Sequence, residues 1–163
     1  MPTDYKKMYE KIFDILGELT PLKADCGVLC GGACCKGDAS IGMHLFPFEE
    51  SSLHVSENKE NGVRLALCDG SCDRTGRPLS CRIFPFFPTV DDRGKVYIEA
   101  DMRAYRLCPL LSHIDEIEFD KRFFKALKKV GKLLAKDEAC IRFMRDVTAE
   151  IDTYKAFYVE KSE

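Results

Sequence analysis

The chain has 163 residues, 45% hydrophobic and 32% charged, with a formal net charge of −2. That length suits one domain with a core of its own, and the composition excludes a disordered chain. The charge balance gives no hint of nucleic-acid binding, and no apolar run is long enough to span a bilayer.

The N-terminus, MPTDYKKMYEKIF, lacks the apolar stretch of a signal peptide, so the sequence predicts a cytoplasmic protein. Tyr5, Met8, Tyr9, Ile12, Phe13, Leu16 and Leu19 recur at the helical period and predict a helix over 4–19. Thr3 or Asp4 is its N-cap, and Pro21 marks its stop. Residues 24–40 are rich in Gly and Cys and read as a wrapped loop, because Gly27, Gly31 and Gly32 disfavour a regular helix. Over 41–55 a short strand is followed by a helical turn opening at Pro47 with Glu49 and Glu50. VRLALC at 63–68 and CRIFPFFPTV at 81–90 read as strands, and KVYIEAD pairs with the second across a DDRG turn. Glu99 and Asp101 are placed on a solvent face.

Residues 119–158 predict an antiparallel helix pair with Asp137 capping the second helix. One stripe is Phe123, Leu127, Val130 and Leu134; the other is Met144, Val147, Ile151, Tyr154 and Tyr158. The lysines at 121, 125, 128, 129, 132 and 136 read as a solvated face.

The abnormal feature is nine cysteines, eight of them between Cys26 and Cys108. Dense cysteines in a reducing compartment point to metal or redox chemistry. The odd count forbids complete pairing, and a bridge between neighbours Cys34 and Cys35 is strained. Cys140 stands alone in an apolar-periodic stretch and reads as a packing residue. The ligand candidates are Cys26, Cys30, Cys34, Cys35, Cys68, Cys72, Cys81 and Cys108. Eight thiolates satisfy two four-ligand sites, of zinc or of an iron–sulfur cluster. Adjacent thiols diverge, so Cys34 and Cys35 serve two ions, or one ligates and the other packs.

Seven of the ten arginines lie between Arg64 and Arg106. They fit either as donors around thiolates or as partners of Asp69, Asp73, Asp91 and Asp92. The bacterial ferredoxin run, the C-x-x-C redox pair and the zinc-finger histidines are all absent from the sequence. His44, His54 and His113 are scattered, with His44 near Glu49 the least ordinary of them.

GACC at 32–35, CDGSC at 68–72 and above all RPLSCRIFP at 77–85 resemble the CxxCxxCC family of zinc- or iron-chelating domains, often labelled Fe–S-cluster oxidoreductases. Cys108 resembles a late cysteine of that family, and the likeness covers about residues 24–110. Here three residues, rather than two, separate Cys26, Cys30 and Cys34. The resemblance implies a metal or cluster and names no reaction.

The expectation is an irregular α+β domain over 1–163. An N-terminal helix (1–22) and a helical C-terminal region (111–163) flank a metal-organised Cys-rich centre of loops and short strands (24–110). The first functional reading is a cysteine site for structural zinc in a binding module with an unknown protein partner. The alternative is an iron–sulfur protein in electron transfer or redox sensing. A third is a catalytic metal with an open position near His44 and Glu49.

Overall fold

The computed structural model describes residues 2–35, 42–68, 70 and 73–160. Mixed helix and sheet is the observed class, with one helix at the N-terminal end and two long ones at the C-terminal end. Among the described residues, no helix is long and apolar enough to cross a membrane.

Helix α1 (Tyr5–Leu16) is capped by Asp4, whose carboxylate accepts from the Lys7 N–H at 3.1 Å. Its buried face is Tyr9, Ile12 and Leu16. It stops before Pro21, at Gly17, whose φ of +50° lies in the left-handed region that favours glycine.

The predicted wrapped loop contains a single helical turn, α2 (Gly27–Cys30). The Asp25 carboxylate accepts from the Gly27 N–H at 2.9 Å, which starts the turn, and left-handed Gly31 ends it. A 3-10 turn at Ala33–Cys35 follows, and residues 36–40 of the predicted loop lie outside the described residues.

Strands β1 (Gly42–His44), β2 (His54–Glu57) and β3 (Arg64–Leu67) form an antiparallel sheet in the order β1-β3-β2. Gly42 is needed there, since a Cβ would lie 2.6 Å from the Ala66 carbonyl oxygen. The helical turn expected at Pro47 is a single hydrogen-bonded turn, in which the Glu49 N–H donates to the Phe46 carbonyl at 3.1 Å, and no helix follows it. Glu49 is drawn inward instead, accepting from the Phe46 N–H at 3.1 Å.

The run at 81–90 is not one strand. Helix α3 (Leu79–Ile83) carries Cys81, and β4 begins only at Phe86. Leu79 and Ile83 recur at helical spacing and are buried, which gives the short helix an apolar face. β4 (Phe86–Val90) and β5 (Val96–Ala100) make the expected hairpin, with Phe86 opposite Ala100 and Val90 opposite Val96.

Helix α4 (Pro109–Ser112) follows Cys108. Helix α5 (Lys121–Leu134) is capped by Asp120, and α6 (Glu138–Glu160) by Asp137, which accepts from the Cys140 N–H at 3.0 Å. The two long helices do not choose each other as main partners. α5 lies against α1 and the hairpin, and α6 against β4. All five residues of β4 are buried, so the hairpin supplies the apolar surface that an antiparallel helix pair would have found in itself.

Phe123, Leu127, Val130 and Leu134 are fully buried as a stripe, as are Met144 and Ile151 with Val147 beside them. The second stripe fades beyond Ile151, because Tyr154 is exposed. The expected solvent face of β5 also differs. Asp101 is buried and paired with Arg103 at 2.8 Å, while Glu99 pairs with Lys155 and Thr89.

Candidate metal centre

The cysteines come from four stretches of backbone. Cys26, Cys30, Cys34 and Cys35 belong to α2 and its flanks. Cys68 follows β3, Cys81 sits on α3, and Cys108 is the residue before α4. Cys72 lies outside the described residues.

A small apolar core of Ala104, Cys108, Leu110 and Leu111 packs with Leu22, Phe84 and Cys26. That core brings Cys26 to Cys108, the first of the ligand candidates to the last, across 82 positions of sequence. The approach to Cys26 is held from two sides. The Asp120 N–H donates to the Pro21 carbonyl at 2.8 Å, and the Arg74 guanidinium donates to the Glu18 carbonyl at 3.0 Å.

Two cavities collect the thiols. One, of about 20 Å³, is lined by Cys26, Cys30, Cys34 and Cys108 among Leu29, Phe84 and Leu110. The other, of about 240 Å³, is lined by Cys34, Cys35, Cys68 and Cys81 with Arg77, Met43 and Leu53. Cys34, Phe84 and Leu107 border both. A third recess of about 40 Å³ joins Cys26 and Cys81 to Asp25, Arg74, Arg77 and Arg82. The Cys34 and Cys35 sulfurs are 4.0 Å apart. The Cys30 thiol points back to the Cys26 carbonyl at 3.7 Å. Among the described residues, no three His, Cys, Asp or Glu side chains converge closely enough to hold one metal ion.

The thiols act on one another electrostatically. Burial, then the neighbouring Cys35, pushes the Cys34 thiol up to about 12. Burial raises Cys26 as well, with Cys108, Cys30 and Asp25 adding to it. Cys108 is raised by burial and by Cys30, against N–H groups of Leu110 and Leu111 that pull it down. Bare thiolates here would be crowded and poorly solvated, and a bound cation would relieve both effects.

The arginines divide. Arg64 donates to the Glu49 carbonyl at 3.0 Å, and Arg103 bridges Asp101 and Glu150. Arg82 donates to the Arg77 and Thr75 carbonyls and lies 4.5 Å from the centre of the Phe13 ring. Arg74 pairs with Glu18. Of the arginines, Arg77 faces both the larger thiol cavity and the third recess. The expected partners Asp73 and Asp91 instead bind neighbouring turn N–H groups, and Asp69 lies outside the described residues.

His44 and Glu49 serve different places. The His44 ring lies 6.4 Å from that of Phe143, and burial, then Arg103, lowers its basicity. Glu49 is turned onto backbone N–H groups of Phe46 and Leu79. Cys140 is buried in the main core, where burial, then Asp137, pushes its thiol up to about 12. Phe84 and Leu107 wall both thiol cavities; Phe84 belongs to the RPLSCRIFP motif without being singled out there, and no sequence signal marks Leu107.

No family model, curated protein or solved structure matches this chain.

Proposed function

We propose that the chain is a metal-binding protein whose ligands are Cys26, Cys30, Cys34, Cys35, Cys68, Cys72, Cys81 and Cys108, with zinc in a structural role. The observation that carries this reading is the gathering of seven of these thiols around two adjoining cavities. Thiolates are soft donors suited to zinc and to iron–sulfur clusters rather than to calcium or magnesium. In this reading the Cys26, Cys30 and Cys108 group serves one centre, and the Cys35, Cys68, Cys72 and Cys81 group the other. Cys34 stands between them. Metal would draw the sulfurs inward to bonding distance and stabilise the loops that carry them.

One observation favours the second reading, an iron–sulfur protein in electron transfer or redox sensing. The larger cavity, about 240 Å³, has more room than a single ion needs. The deciding experiment is metal and acid-labile sulfide analysis of protein purified without oxygen, with a visible spectrum and a melt before and after chelation. About two zincs per chain, no sulfide and a lowered melting temperature on chelation support the structural site. Iron with matching sulfide replaces it with the redox reading. Protein that holds neither metal, and melts identically with chelator, overturns both.

A further inference from the structure

A second feature lies apart from the thiols. Helix α5 reads KRFFKALKKVGKLL, with five lysines, one arginine and no acidic residue. The whole chain carries only −2, so this positive charge is a local concentration. Lys128 and Lys132 stand one turn apart on one face of the helix, and Lys136 follows in the turn that leaves it. Lys95, just before β5, borders the same surface, with its ammonium 5.2 Å from the centre of the Tyr97 ring. Together the four line a groove of about 390 Å³ whose floor includes Gly94 and Val96.

The walls of this groove are fixed by backbone packing. A Cβ on Gly131 would lie 2.7 Å from Val96 and 2.8 Å from Pro88, so α5 sits directly on the hairpin. The glycine sets the separation of Lys95 from the helical lysines.

The nearby carboxylates are engaged elsewhere. Asp91 accepts from the Arg93 and Lys95 N–H groups, both within 3.0 Å. Asp137 accepts from Thr3, Tyr5 and Cys140, and Glu138 pairs with Arg142 at 2.9 Å. Among the described residues, none of the four lysines takes part in an ion pair. A solvated face accounts for their exposure. It does not account for like charges at i, i+4 on a helix, which weaken it, lining one groove with two more lysines from the segments beside it.

We propose that this groove binds condensed phosphate: a chain of at least three phosphates, free or as the tail of a nucleotide. A row of ammonium groups matches a linear polyanion better than a single compact anion, and lysine acts on phosphate as a point charge.

Calorimetric titration of the full chain with inorganic tripolyphosphate and, separately, with ATP tests this. Saturable binding of tripolyphosphate at one site is expected, with orthophosphate weaker. The double variant Lys128→Glu/Lys132→Glu should weaken it about tenfold or more. Lys95→Glu, on the hairpin, should weaken it too, which keeps the test sound if the helix variant folds poorly. Lys129→Glu, on α5 but outside the groove, should leave the affinity unchanged. Equal affinity for ATP and tripolyphosphate assigns recognition to the phosphate chain alone, and tighter ATP binding assigns a nucleotide. Non-saturable binding, or equal weakening by Lys129→Glu, overturns the proposal.

Discussion

The Leu79 N–H donates to Glu49 Oε1 at 2.7 Å, joining groups 30 positions apart in the chain. The other carboxylate oxygen takes the Phe46 N–H. One buried side chain therefore fixes the first turn of α3, and Cys81 with it, to the segment following β1. The Ser80 hydroxyl adds a second tie, donating to the His44 carbonyl.

Glu49 makes the fold sensitive to pH. Burial pushes its carboxyl from 4.5 up to about 7, against two N–H groups and Arg64 pulling it down. Between these values the folded chain keeps a proton that the unfolded chain has lost. This contribution to stability is therefore full below pH 4.5 and is lost as the pH rises through 7. The change amounts to roughly 3 kcal/mol. Urea midpoints from acid to neutral pH should show the decline, and Glu49→Gln should flatten it. A variant with the parent's slope would place the proton elsewhere.

Gly131→Ala tests the seat of α5. Alanine is the better helix former by about 1 kcal/mol, so propensity alone predicts a gain. The Cβ would instead press on Val96 and Pro88 at under 3 Å. A net loss of about 1–3 kcal/mol is expected in denaturant unfolding.

Arg103 compensates the buried Asp101 through two hydrogen bonds, at 2.9 and 2.8 Å, and reaches Glu150 at 3.0 Å. Arg103→Met keeps much of the volume and leaves the Asp101 carboxylate without its cation. A loss of about 2–3 kcal/mol is expected. The double variant with Asp101→Asn should recover part of it, since the uncompensated charge is then gone.

Cysteine variants separate ligands from packing. Cys140→Ala should leave metal content unchanged and cost about 1 kcal/mol in a melt, as a buried sulfur replaced by a smaller group. Cys35→Ala should lower metal content. Equal metal loss in the two variants would overturn the division of the cysteines.

The long apolar patterns were legible because each follows one period over many residues. The stripe from Phe123 to Leu134 and the alternation of the hairpin fall in this class. The short elements were not. α3 has five residues, and it runs into CRIFPFFPTV at 81–90, whose β-branched and aromatic residues read as extended. Helix pairing was also beyond reach, because α5 and α6 have apolar faces that fit each other or the fully buried β4 equally well. The cysteine motif gave the identities of the thiols. The small core around Leu110 and Leu111, which brings Cys108 to Cys26, arises from contacts that no local pattern announces.

The contrast between Cys34 and Cys140 gives the unmodified chain its own stopwatch. Cys34 is exposed, whereas Cys140, on α6, is sealed at 0% accessibility in the core that α6 shares with α1. A thiol reagent in excess meets the first in the folded, metal-free chain, at a rate set by its raised thiol pKa, and the second only when the main core opens. Timing the two modifications by mass would read loop access and whole-molecule opening in a single sample, without a label or an engineered residue.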